Sequence, residues 1–272
     1  INTTPTDTPN NWKMSVALPT PITFTDKKGQ PAMRLHIGSQ RMGGIWSNKL
    51  NNFSKLIVQH KDIKISDKND QAVTIFDAIN IMTNLKETDD GKWSGSTKFN
   101  LQDLVFRNPE NKDTAKINNI TFDATFKNID PEQQKTIFSE IQKTAENNKK
   151  TNVIGLIKAA GEEIQTKITV HGLQSNISNT QSGASRIFSL DEGFMAFGFK
   201  LTDNNKTDNT IKFGYKELKY PNGQNNFIPK DFNFDIALRN LPLPQLIEEG
   251  QSTLTNNKTA SAQKVAALQT ML

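Results

Sequence analysis

The 272-residue chain has no cysteine, which excludes disulfides, thiolate metal ligands and thiol nucleophiles, and suits an oxidising compartment. Arginine is scarce: only Arg34, Arg41, Arg107, Arg186 and Arg239 stand among 33 Lys and Arg. Base readout and phosphate clamping favour arginine forks interleaved with aromatics. The lysines here are scattered, so the net charge of +5 reads as a solvated surface and nucleic acid is not expected as a partner. No run approaches the roughly 18 apolar residues that a spanning helix needs.

Chemistry-bearing motifs are equally thin. The three histidines, His36, His60 and His171, form no His-x-His or His-Glu-x-x-His pair, so no metal site is expected. His60 and His171 fall at nearly equivalent places in the two halves of the chain, which reads as a repeated strand end. There is no Gly-x-Ser-x-Gly elbow, phosphate-binding loop or Gly-x-Gly-x-x-Gly turn. Asp89-Asp90 and Glu162-Glu163 fit a turn and a solvated helix end. The expectation is a protein that is not an enzyme and carries no cofactor.

What the sequence does have is asparagine, 30 residues of it, with 16 Phe and 35% hydrophobic residues, enough for a core. Its six Asn-x-Ser/Thr sequons are what such a composition yields by chance. The first residue is Ile1, and the Thr/Pro/Asn-rich opening reads as a disordered tail of a trimmed or mature chain that has lost an export signal or anchor.

The strongest pattern is an internal repeat. Phe122-Asp123-Ala124-Thr125-Phe126-Lys127-Asn128-Ile129 returns as Phe234-Asp235-Ile236-Ala237-Leu238-Arg239-Asn240-Leu241, 112 residues on. Asp77 to Phe106 aligns with Asp191 to Tyr220 at an offset of 114, and Leu56, Val58, Ile65 and Ser66 match Ile168, Val170, Ile177 and Ser178. Four regions follow: a tail over 1–11, N-terminal strands or a partial unit over 12–52, one unit over 53–164 and a second over 165–272. The two units are expected to share one sheet.

Each unit reads as four strands and a helical connection. Ile120, Phe122, Ala124 and Phe126 alternate with Thr121, Asp123, Thr125 and Lys127, as in a sheet with one buried face. The wet-face acids Asp123 and Asp235 are expected to pair with Lys or Arg on a neighbouring strand. Turn chemistry at Asp89-Asp90-Gly91, Asn108-Pro109, Asp203-Asn204-Asn205 and Pro221-Asn222-Gly223 implies a meander. Phe99 and Leu101 share a phase that Leu104 and Phe106 abandon, as do Phe213 and Tyr215 before Leu218 and Tyr220, which predicts β-bulges near Gln102–Asp103 and Lys216–Glu217. Asp130-Pro131-Glu132 starts a helix with Asp130 as its cap. Val153 to Glu163, Pro242 to Ile247 and the stripe Val265, Leu268, Met271 and Leu272 read as further helical pieces. Aligned on the first unit, the second unit reaches Leu272 where a next strand would begin, so the natural chain is expected either to continue into further strands or to end with an uncapped second helix.

The resulting fold class is α+β: a large, twisted, mostly antiparallel sheet from two tandem β4–α units, with helices packed on its apolar face. Arg-Asn-Leu-Pro (Arg239–Pro242), followed by Leu-Pro-Gln-Leu-Ile (Leu243–Ile247), resembles a segment of AsmA-like and related envelope proteins, especially one uncharacterised alphaproteobacterial family. The resemblance covers about residues 53–272. It implies a periplasmic protein, membrane-anchored through a removed N-terminal segment, with repeated β-grooves that handle lipid or another apolar small molecule. No catalytic residues come with it. A groove of this kind is expected to be lined by Phe122, Phe126, Phe138 and Ile141 in one unit and by Phe194, Phe199, Phe234, Leu238 and Leu246 in the other. The alternative is a structural or protein-interaction scaffold whose helices close on the same residues as a dry core with no ligand.

Overall fold

The computed structural model describes residues 1–107, 114–136, 139, 161–178, 185–202, 206–220 and 228–242. Twelve strands form one antiparallel sheet: β1 Asn2–Pro5, β2 Asn11–Val16, β3 Ile22–Thr25, β4 Pro31–Ser47, β5 Asn52–Asp67, β6 Ala72–Glu87, β7 Trp93–Arg107, β8 Thr114–Ile129, β9 Glu163–Ser178, β10 Ser185–Thr202, β11 Lys206–Lys216 and β12 Phe232–Pro242. The order is that of the chain, except that β3 pairs β4 beside the main path. Residues 2–5 of the expected tail form β1, whose partners in β2 are residues 12–15.

The α+β expectation is overturned. Among the described residues the architecture is all-β, with a single helical piece at 131–136 and no helix laid on the apolar face. That piece starts as its sequence predicts, the backbone N–H of Gln133 donating to Asp130 Oδ1 at 3.0 Å. Glu163, placed above at the end of a helix, instead opens β9. The remaining expected helical residues, with Phe138, Ile141 and Leu246, lie outside the described residues. The four strands expected of each unit are present as β5–β8 and β9–β12, and β9 begins where a helix was expected to end. β5, β6 and β8 each have 16 residues, roughly 50 Å of extended chain, and each changes phase midway.

The phase change has a single structural origin. A line of residues crosses the sheet from β4 to the end of β11: Gly38, Asp62, Asp77, Asp103, Asn118, Gly172, Asp191 and Glu217. At each of these places from β4 to β10 the ladder skips the opposing pair and resumes in the same register. Asp62, Asp103, Gly172 and Glu217 have φ between 50° and 64°. The interruptions expected near Asp103 and Glu217 are present, but no residue is inserted: facing strands break together, so a crease replaces a bulge. Beyond it the apolar side chains stay on the face they held before. An added Cβ at Gly193 would meet Leu190 Cδ2, from across the crease, at 3.0 Å.

The repeat is written into the register. Lys98↔Asp123 and Phe99↔Phe122 in β7–β8 recur as Lys212↔Asp235 and Phe213↔Phe234 in β11–β12. Even the irregularities match, with a register shift between Trp93 and Gly95 and another between Thr207 and Asn209. Asn128 and Asn240 both have positive φ. Each donates its N–H to a side-chain oxygen at the equivalent place, Ser94 Oγ at 3.0 Å and Asp208 Oδ1 at 2.9 Å. In β5 and β9 the structural offset is 110, because Leu56 faces Thr83 while Thr166 faces Phe197. Val58 therefore corresponds to Ile168, and His60 to Val170 in place of His171.

Candidate functional site: one uncharged sheet face

Residues opposite one another in antiparallel strands share a face, so the register can be read straight across the sheet. One row runs Val16, Met42, Val58, Ile81, Phe99, Phe122, Ile168, Met195, Phe213, Phe234 over ten strands. The row on one side of it runs Met14, Gly44, Leu56, Thr83, Thr97, Ala124, Thr166, Phe197, Ile211, Ile236. On the other side stand Gln40, His60, Ile79, Leu101, Ile120, Val170, Gly193, Tyr215 and Phe232. No Asp, Glu, Lys or Arg stands in any of the three rows.

The opposite face is charged. There Lys98, Asp123 and Lys167 sit in line, followed by Ala196, Lys212 and Asp235. Lys98–Asp123 is 3.8 Å and Lys212–Asp235 is 2.6 Å, so both repeated acids pair with a lysine of the preceding strand. A shallow hollow of about 300 Å³ lies largely over Ala196 and Gly198 between Lys167 and Lys212.

Five of the expected groove residues lie on one and the same face. Phe122, Phe126, Phe199, Phe234 and Leu238 share the uncharged face, Phe126 with Ile164, Phe199 and Leu238 in the row that ends it. Phe194 does not. It lies on the charged face, where the space left by Gly214 admits its ring and Lys167 Nζ stands 5.3 Å from the ring centroid. Phe126 belongs to a core, packing on the buried cluster Leu50, Leu85, Trp93 and Ile129 at one end of the strands. Missed were Ile168, Met195, Phe197, Ile211, Phe213 and Ile236, all exposed on the uncharged face. Their alternation was visible, but an exposed row cannot be told from a covered one without the strand order.

Toward the opposite edge of the sheet, Trp12, Met14, Trp46 and Thr3 bound an open hollow of 420 Å³. Trp46 meets Phe53 edge to face at 5.3 Å. Tyr215 stacks on Phe232 at 5.7 Å, and Phe213 lies 4.8 Å from Phe234, which paves the face with aromatic carbon near β12.

The chain matches no family model, no curated protein and no solved structure.

Titratable groups cluster where β8 meets β9. Lys92 Nζ donates to Glu162 Oε1 at 2.5 Å, and Asn128 Nδ2 donates to Glu162 Oε2 at 2.8 Å. The Lys92 hydrogen bond first, then that of Asn128, holds the Glu162 carboxyl below its ordinary range, and the same pairing raises Lys92. These groups tie strand ends together. The two histidines do unlike things: His60 is buried on the uncharged face, its Nδ1 without a partner among the described residues, while His171 Nδ1 stands 3.7 Å from Glu192 on the other face. No group of three or more His, Asp or Glu among the described residues is placed to hold a metal ion, and no helix among them is long and apolar enough to cross a membrane.

Proposed function

We propose that the protein is a non-enzymatic envelope protein that seats the acyl chains of lipid on the uncharged face of its sheet. The observation that carries this reading is the run of ten consecutive strands presenting an uninterrupted row of apolar side chains, exposed from Ile168 to Phe234. An acyl chain needs area and has nothing for a charge to grip. Each buried methylene contributes about 0.8 kcal/mol, so a chain of about sixteen carbons gains on the order of 10 kcal/mol gross, against an association cost of several kcal/mol. Strands spaced about 4.8 Å apart make the row roughly 45 Å long, enough for an extended chain to lie across several of them. The resemblance at Arg239–Ile247 to anchored periplasmic proteins supports the same reading.

The exposure of Ile168, Met195, Phe213 and Phe234 among the described residues supports an open face over a dry core. Native mass spectrometry of the purified protein, with extraction and identification of any lipid released, tests the proposal. Lipid is expected on the unmodified protein and absent from Leu238→Asp, which alters an exposed position and should leave the fold intact. Phe126→Asp would unfold the core cluster and is not informative about binding. Protein that never carries lipid, even after incubation with phospholipid vesicles, would refute the assignment.

A further inference from the structure

The outer edge of β12 repeats the edge of β8 that β9 occupies, and this says what should pair there. β8 meets β9 through Lys127↔Glu163 and Asp123↔Lys167. Lys127 Nζ lies 2.7 Å from Glu163 Oε2, the N–H of Glu162 donates to the Lys127 carbonyl at 2.9 Å, and Asn128 reaches Glu162 with its amide. β12 carries the same three groups at the equivalent places: Arg239 for Lys127, Asp235 for Asp123, and Asn240, also at positive φ, for Asn128. Their equivalence rests on the shared register with the preceding strand. Yet among the described residues β12 pairs on one side only, with β11, and Arg239 is exposed and unpaired there. A long edge with a free ladder of N–H and C=O groups is a template for another strand.

We infer that the free edge of β12 is an interaction surface for an antiparallel strand of the β9 pattern: an acidic pair facing Arg239 and Asn240, then a lysine four residues on facing Asp235. The partner is recognised by backbone pairing, by those two charges, and by apolar residues facing Phe234 and Leu238, as Ile168 and Ile164 face Phe122 and Phe126. Such a strand would extend the sheet and its uncharged face together. The inference does not depend on what that face binds.

The test uses a fluorescent synthetic peptide of residues 161–173, added to the intact protein. Saturable binding is expected, with hydrogen-exchange protection gained in β12. The Glu163→Lys peptide should bind about fivefold more weakly, a loss that Arg239→Glu in the protein reverses. A peptide N-methylated at alternate residues keeps its side chains but cannot form the ladder, and should not bind. No binding by the native peptide, equal binding by the N-methylated one, or protection gained in β8 or β10 instead of β12 would each overturn the inference.

Discussion

Strands β5–β8 and β9–β12 are two versions of one register, and they treat the same face differently. Val58 is 6% exposed and its counterpart Ile168 is 43%; Ala124 is 2% exposed and its counterpart Ile236 is 36%. The row Thr83, Thr97, Ala124 is made of small residues, the two hydroxyls bonded at 3.1 Å. Its counterpart Phe197, Ile211, Ile236 is made of large apolar ones, all exposed. At the strand ends the first version closes on Trp93, where the second has Thr207. One half thus buries Val58 and Ala124, while the other exposes the equivalent positions. Contiguous apolar display of this kind is what the proposed lipid-seating face rests on.

The comparison breaks most sharply at Trp93. Trp93→Ala should cost about 3–5 kcal/mol in urea unfolding, because it empties the cluster with Leu50, Leu85 and Ile129. Thr207→Ala, at the equivalent place, should cost far less, about 1 kcal/mol. Equal losses would mean that the halves are stabilised alike.

A smaller contrast is expected at the repeated acidic substitution. Ala124→Asp places a carboxylate at a buried position and should cost about 2–4 kcal/mol, whereas Ile236→Asp meets water and should cost under about 1 kcal/mol. Thermal melts of the two variants decide it. If Ile236→Asp unfolds the protein as readily as Ala124→Asp, the face near β12 is covered.

The strand-end network sharpens the comparison through pH. The Glu162 carboxyl is held below its ordinary value of 4.5, so its contribution is present above that value and is lost as pH falls through the depressed one. The site is partly exposed, so Glu162→Gln should cost at most about 1 kcal/mol at pH 7. The gap between variant and parent should close as pH drops below 4.5, measured by denaturant titration at several pH values. A gap that persists in acid would assign the effect to the side chain's packing.

Sheet-face ion pairs should matter least. Double-mutant cycles on Lys98–Asp123 and Lys212–Asp235 are expected to give about 0.2–1 kcal/mol each, both shrinking in high salt. A coupling several times larger in one pair alone would show that the charged face is not equivalent in the two halves.

Much of this was legible in the residues. The alternation of Ile120, Phe122, Ala124 and Phe126, the lysine partners of Asp123 and Asp235, the meander and the phase slips at Asp103 and Glu217 all follow from local periodicity. The α+β class did not, because among the described residues the helix begun at Asp130 is short and Glu163, where a helix was expected to end, opens β9. The near-equivalence of His60 and His171 failed because the offset in β5 and β9 is fixed by hydrogen bonding across strands and not by residue similarity. Phe194 is out of phase with Phe199 by alternation alone and would share its face only across a bend; β10 pairs without a break between them, so Phe194 stays on the charged face. Exposure of the Ile168–Phe234 row depends on what lies above it, which alternation alone does not encode.

The central claim is that lipid chains lie on the uncharged face near β12. A phospholipid carrying a photoactivatable group at the end of its acyl chain, cross-linked to the protein and mapped by peptide mass spectrometry, tests it directly. The account predicts adducts on Met195, Phe213, Phe234 and Ile236, suppressed by unlabelled phospholipid. Adducts confined to the Lys167–Ala196–Lys212 face, or spread evenly over both faces, would contradict it.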